Sequence, residues 1–226
     1  MFHNSGILYV VATPIGNLKD MTSRGTETLK GVDLILAEDT RVARKLLERY
    51  EIGTPVESFH QHSDNKKISN IIERLKNGGN VALVSDAGTP GINDPGGLLI
   101  QKILEQLPET KIIPIPGPNA AITALSVSGI NADRFLFMGY PPHKKGRQKF
   151  FKEVTESKYP VVFYESTHRI ERTLKELSEF EEIKTRPIIV AKELTKQFET
   201  IYRGSIDDIL PKIDPRGEFV IVINIR

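Results

Sequence analysis

Cysteine is absent from the 226 residues. Its absence excludes disulfides, a thiol nucleophile and Cys-ligated zinc or iron–sulfur centres, and fits a reducing compartment such as the cytoplasm. No run approaches the roughly 18 apolar residues that a membrane span needs, so no membrane partner is expected. The opening MFHNSG has no basic segment followed by an apolar run, so no signal peptide is expected. An excess of one charge is also missing. Thirty-one Lys and Arg against 29 Asp and Glu leave a net +2, too little to argue for nucleic acid by itself, although the sequence pI near 8.7 permits it. There is no G-x-G-x-x-G and no G-x-x-x-x-G-K-[ST], so neither a dinucleotide nor a P-loop triphosphate is signalled.

What is present reads as a globular α/β chain, 39% hydrophobic and 27% charged. Its length suffices for one large domain or two small ones. ILYVVAT (residues 7–13), LILAE (34–38), PVESF (55–59), NVALVS (80–85) and KIIPI (111–115) read as strands. Between them lie amphipathic helices. Residues 40–50 put Val42, Leu46 and Leu47 on one face. Residues 67–76 put Ile68, Ile71, Ile72 and Leu75 at helical spacing, and 97–107 form a third helix. Such alternation predicts a mostly parallel sheet covered on both faces. After PIPGPNAAITALSVSG, the strands RFLFMGY, YPVVFYE, RPIIVAKEL, FETIYRG and EFVIVINI come closer together, predicting a mixed sheet with antiparallel pairs. Pro and Gly at 115–117 suit a linker, giving an N-terminal α/β domain over 1–116 and a C-terminal α/β domain over 117–226.

Ligands of open parallel sheets bind outside the carboxyl ends of the strands. Four loops leave such ends here with unusual composition: TPIGNLKD (13–20), EDTR (38–41), SDAGTPGINDPGG (85–97) and PGPNAA (116–121). Each could be mere turn punctuation, but four on one edge point to a shared site. Gly88 and Gly91 let a ligand approach the backbone, and Pro90 and Pro95 stiffen the loop and remove two donors. A loop of this kind suits a zwitterionic ligand with amine, carboxylate and adenine groups better than a polyphosphate.

The stretches LYVVATPIGNLKDMTSRGTETL, DLILAEDTRVARKLL, VALVSDAGTPGINDPG and PIPGPNAAITALSVSG, with FMGYPP, VVFYESTHRI and VAKELTKQFET later, carry a resemblance. They resemble the bacterial 16S ribosomal RNA (cytidine) ribose 2′-O-methyltransferases of the tetrapyrrole methylase superfamily, the class III enzymes that use S-adenosylmethionine. The likeness covers nearly the whole chain. Longer members carry a further C-terminal helical segment where this sequence stops at EFVIVINIR. The resemblance implies two α/β domains, S-adenosylmethionine in the cleft between them held largely by backbone groups, a homodimer, and 16S ribosomal RNA or the small ribosomal subunit as substrate. Its motif positions fall on Pro14, Ala87, Gly88, Thr89, Ile92, Asn119 and Ala120, and on Glu165 and Ala191 in the second half.

Methyl transfer from a sulfonium is a direct displacement that needs no metal. Alignment of the acceptor at roughly 3–3.5 Å can supply about 7–11 kcal/mol. A general base, or cations facing the developing alkoxide, adds about 10²–10⁴-fold. Asp86 either serves the site or makes an Asx-turn. Glu38 and Asp39 either serve it or cap the helix that follows. Lys192 and Glu193, at a late strand end, either flank the acceptor or form a solvated pair. His60 and His62 with Asp64 suggest a metal only weakly, and none is expected. The basic run Lys144, Lys145, Arg147 and Lys149 is either solvated surface or a phosphate-contacting loop. Arg41, Arg44 and Lys45 form a second cationic set on one helix. A tetrapyrrole C-methyltransferase and a non-catalytic S-adenosylmethionine-binding module are the alternatives. A serine hydrolase from Ser166, His168 and Asp86 is set aside, since there is no G-x-S-x-G.

Overall fold

The computed structural model describes residues 5–60, 65–184 and 186–224. These form two compact units, Met1–Asn119 and Ala120–Arg226.

The first unit alternates strand and helix: β1 (Ile7–Val11), α1 (Ser23–Gly31), β2 (Leu34–Ala37), α2 (Thr40–Arg49), β3 (Val56–Ser58), α3 (Asn65–Lys76), β4 (Val81–Val84), α4 (Gly96–Gln106) and β5 (Lys111–Ile115). All strand pairs are parallel, in the order β3-β2-β4-β1-β5. Every residue of β2 and of β4 is buried, which is why these strands read as continuous apolar runs and do not alternate. The period of two still sorts them. Ile35 and Ala37 face a core with Leu29 of α1 and Leu46 and Leu47 of α2. Leu34 and Leu36 face the opposite core with Ile68, Ile71, Ile72 and Leu75 of α3 and Leu99 and Ile103 of α4.

The strand order places a switch point between β1 and β4. The connection from β1 runs through α1 to β2, beyond β4, while that from β4 runs through α4 to β5, beyond β1. Adjacent strands whose connections depart in opposite directions leave a crevice at their carboxyl ends.

The second unit has α5 (Ala120–Ser126), β6 (Leu136–Phe137), α6 (Arg147–Glu156), β7 (Val161–Ser166), α7 (Ile170–Ser178), α8 (Glu181–Lys184), β8 (Ile188–Lys192), β9 (Thr200–Gly204), α9 (Ile206–Ile209) and β10 (Glu218–Ile223). Its sheet is mixed, as the closer strand spacing predicts: β6 and β7 are parallel, and β7-β10, β10-β8 and β8-β9 are antiparallel. Phe163, Val190, Phe219 and Ile221 pack with Phe151 of α6, Leu174 of α7 and Ile206 of α9. Helix α5 packs on β7 and β10 with Ala121, Ala124 and Leu125 buried.

Candidate active site

The loops at the carboxyl edge of the first sheet are tied to one another by their own backbones. Thr13 and Gly88 form a bridge in which each amide donates to the other's carbonyl, at 2.9 and 3.1 Å. The Thr13 hydroxyl donates to the Ser85 carbonyl at 3.1 Å and the Ser85 hydroxyl to the Gly88 carbonyl at 3.2 Å. The loop after β1 is thus fastened to the loop after β4. The Thr89 hydroxyl reaches the Pro118 carbonyl at 3.1 Å, joining the loop after β5. The Asp39 amide donates to Asp86 Oδ1 at 2.9 Å, joining the loop after β2. The four loops singled out in the sequence therefore form one structure at the β1–β4 switch point.

Gly88 sits at φ +83°, the left-handed region open to glycine. A Cβ there would lie 3.4 Å from Ile15 Cγ2 and 3.6 Å from the Pro118 carbonyl oxygen. Asp94 accepts from the amides of Gly91 and Gly96 at 2.7–2.9 Å and holds the turn that opens α4. The hydroxyls of Thr13, Ser85 and Thr89 are all engaged within the loops. What the loops offer outward is main chain and short side chains. This donor set fits a cofactor held by backbone groups, as the loop composition suggests.

Among the residues assigned to the cofactor, Pro14 and Gly88 are buried, Thr89 and Asn119 half-buried, and Ala87 and Ile92 exposed, all in the first unit. Ala120, Glu165 and Ala191 belong to the second. Ala191 lies inside its sheet, paired with Val220 and Ile201. Glu165 is wholly buried. Its carboxylate accepts from the Ser166 amide and the Thr173 hydroxyl and pairs with Arg169 at 3.1 Å. These partners make it part of a structural ion network and leave it no exposed surface to offer a ligand.

The carboxylates of the first unit divide by role. Asp39 caps α2, accepting from the Arg41 amide, and pairs with the Arg41 guanidinium at 2.6 Å. That side-chain hydrogen bond holds its carboxyl down to about 2. Asp86 acts as the strut between two loops. Glu38 is different: burial, then the nearby charges of Asp86 and Asp94, raise its carboxyl above the ordinary value, with His60 opposing. A carboxylate tuned upward beside a candidate site is the better general base. The raised value also sets a sign. The folded protein holds the Glu38 proton more tightly than the unfolded chain, so stability falls as pH rises from the ordinary glutamate value, 4.5, through the folded value. Glu38→Gln is expected to raise the unfolding free energy at pH 7 by under about 1 kcal/mol for so exposed a group, and with it the melting temperature, and to leave both unchanged below pH 4. Melts at the two pH values check this. His62 and Asp64 lie outside the described residues. Among the described residues no group of three or more His, Asp or Glu is placed to hold a metal.

In the second unit Lys192 is buried at the end of β8, and its ammonium donates to Asp214 Oδ2 at 2.6 Å. Asp214 also pairs with Arg216 at 2.9 Å, and the two cations, Arg216 first, hold its carboxyl well below the ordinary range. Nothing in the sequence singled out Asp214, which stands 22 residues from Lys192, just before Pro215, Arg216 and Gly217. Glu193 accepts from the Glu218 amide and from Lys196, both at 2.9 Å. Burial pushes its carboxyl up, but these two partners outweigh burial and the net shift is downward. Glu193 therefore reads as a fastener of the β8–β9 connection, and Lys192 as a fixed cation.

The basic sets also divide. Arg41, Arg44 and Lys45 are exposed on α2 of the first unit, and Lys144, Lys145 and Lys149 are exposed in the second. Arg147 departs from the phosphate-contact expectation. Its side chain is only 4% exposed, 2.5 Å from Glu176 and 3.8 Å from Glu165. It also donates to the Thr173 hydroxyl and the Pro142 carbonyl. Arg169 donates to the neighbouring Pro141 carbonyl. Together the two arginines anchor the basic loop from inside.

The family model described as Tetrapyrrole (Corrin/Porphyrin) Methylases matches residues 7–210. A protein named ribosomal RNA small subunit methyltransferase I from Bacillus subtilis is 44% identical over 222 residues, 96% of this chain and 75% of its own length. One of the same name from Haemophilus influenzae is 45% identical over 227 residues, 97% of this chain and 78% of its own. Among solved structures, the methyltransferase CobJ superposes with TM-score 0.69 at 23% identity, covering 97% of this chain and 94% of that one. Diphthine synthase superposes with TM-score 0.74 at 16% identity, covering 96% and 90%. These two show a shared fold.

Proposed function

The chain belongs to the tetrapyrrole (corrin/porphyrin) methylase family, and from that premise we propose that it transfers a methyl from S-adenosylmethionine to the ribose 2′-hydroxyl of a cytidine in 16S ribosomal RNA. The observation that carries the reading is the identity of 44–45%, over at least 96% of the chain, with relatives named for the small-subunit ribosomal RNA. The solved tetrapyrrole enzymes share the fold at lower identity and give the macrocycle alternative no comparable support.

The cofactor, when bound, supplies an activated methyl on a sulfonium. The chain's part is to hold it through the backbone of residues 13–14, 87–92 and 117–119, to align the acceptor oxygen, and to manage its proton. Glu38, with its raised carboxyl, is the candidate to receive that proton. Lys192, held by Asp214, is the candidate catalytic residue of the second unit. We read the protein as a homodimer that works with ribosomes in the cytoplasm. No helix among the described residues is long and apolar enough to cross a membrane.

Single-turnover transfer of labelled methyl to purified small ribosomal subunits tests the reading and separates it from a module that binds S-adenosylmethionine without catalysis. Lys144, Lys145 and Lys149 are assigned to RNA phosphates. The triple alanine variant is expected to weaken RNA binding at low salt and much less at high salt. The slope of log K against log salt should shrink by roughly 0.7–0.9 for each phosphate left without its lysine. Titrations at several salt concentrations check this, and an unchanged slope would return the run to solvated surface.

A further inference from the structure

The second unit contains a cavity of about 640 Å³ beside the β8–β9 connection, lined by Lys192, Phe198, Glu199, Tyr202, Asp214 and Arg216 among others. Its size falls within the roughly 300–1,000 Å³ of sites that enclose a small organic ligand. Phe198 is 68% exposed at this cavity, more than any other large hydrophobic residue described. A lone exposed apolar residue is ordinary; this one stands on a segment that is held in place. Glu193 and Thr195 adopt φ +49° and +65°, a conformation uncommon for any residue but glycine and least suited to β-branched threonine. Lys196 bridges Glu193 and Glu218 at 2.9 and 2.7 Å. Glu199 accepts from the Thr195 amide at 2.6 Å. Phe198 is thereby presented on a braced turn.

The charges at the cavity say what it does not take. Lys192 and Arg216 both pair with Asp214, while Glu193 and Glu199 add two more carboxylates. The lining thus carries two cations and three carboxylates, poor company for a phosphate. A flat, neutral group with hydrogen-bond donors suits it. Nucleobases stack on exposed aromatic rings, and carboxylates accept from exocyclic amines such as that of cytosine. We propose that this cavity receives one unstacked base of the RNA, stacked on Phe198 and read through its exocyclic amine by Glu199. The inference rests on the RNA-substrate reading above and adds to it the place where a base is recognised.

The test uses the full chain and labelled ten-nucleotide oligocytidylate and oligouridylate, with binding followed by fluorescence anisotropy. Oligocytidylate should bind more tightly than oligouridylate. Phe198→Ala should weaken oligocytidylate binding roughly 5- to 150-fold, Phe198→Tyr should retain it, and Glu199→Gln should erase the preference for cytidine. In methyl transfer to small subunits, Phe198→Ala should raise KM while calorimetric affinity for S-adenosylmethionine stays the same. Unchanged oligonucleotide binding and unchanged KM in Phe198→Ala would overturn the inference and leave the methyl-transfer reading standing. Phe198-dependent oligonucleotide binding in a protein that transfers no methyl would do the reverse. Light scattering completes the test: a Phe198→Ala variant that becomes monomeric yet binds oligocytidylate as before would assign the ring to a second copy of the chain and overturn the proposal.

Discussion

Arg147→Ala is expected to lower unfolding free energy by about 3–5 kcal/mol, the range found when one partner of a buried ion pair is removed. The guanidinium lies between two carboxylates, Glu165 at 0% and Glu176 at 14% side-chain exposure. Truncation removes its charge and, among the described residues, leaves Glu165 with Arg169 as its remaining ionic partner. The Thr173 hydroxyl and the Pro142 carbonyl lose a donor at the same time, and the ring of Phe151 loses the cation stacked 4.9 Å from its centroid. The loop carrying Lys144 and Lys145 is then released at its inner end. The lysine triple variant makes the contrast: exposed substitutions of this kind usually change stability by no more than about 0.5 kcal/mol. Urea denaturation followed by tyrosine fluorescence distinguishes the two, since Tyr140, Tyr159, Tyr164 and Tyr202 of the six tyrosines lie in the second unit. A loss below about 1 kcal/mol for Arg147→Ala would mean that Arg169 alone satisfies Glu165, and the network would have to be reassigned.

Gly88→Val is expected to reduce affinity for S-adenosylmethionine by about tenfold or more, a loss of at least about 1.4 kcal/mol. Two causes add. A β-branched residue at φ +83° is strained by about 1–3 kcal/mol, and relaxing that strain turns the peptide that bridges to Thr13. The new side chain would also extend from a Cβ already 3.4 Å from Ile15 and 3.6 Å from the Pro118 carbonyl, prying apart the loops after β1, β4 and β5. The cores on the two faces of the sheet do not include Gly88, so the first unit should stay folded with a melting temperature lowered by several degrees. Calorimetry and circular dichroism on the same sample check both halves. Gly88→Ala separates the causes: it has room at ordinary van der Waals distance but keeps the strain, so its affinity should fall between the two. A folded Gly88→Val protein with unchanged affinity would remove the switch-point loops from the cofactor site.

Much of the fold is legible because its signals are local. Leu34–Ala37 and Val81–Val84 are unbroken apolar runs between turn residues, and they are the fully buried strands of a parallel sheet. Ile68, Ile71, Ile72 and Leu75 are spaced as one helix face and are buried as one. The four switch-point loops announce themselves by Gly and Pro, whose backbone limits belong to the residue itself. The burial of Arg147 is legible too, by a signal that its basic neighbours override. Arg147, Phe150, Phe151 and Val154 fall at helical spacing and share the buried face of α6.

Sequence alone settles most of the strand and helix alternation in the first half, the two kinds of sheet, the loops of the carboxyl edge and the family. Each follows from residue type, periodicity and motif over short stretches. The partner that each charged side chain meets was decided by tertiary structure, whether another charge or, for Asp86, the backbone amide of Asp39. Lys192 and Asp214 are 22 residues apart, Asp39 and Asp86 are 47 apart, and Arg147 and Glu176 are 29 apart. No local rule links them, because a carboxylate reads the same in sequence whether it caps a helix, braces two loops or neutralises a buried arginine. Its role is set by the partner and the degree of desolvation that packing imposes, and both exist only once the chain has folded.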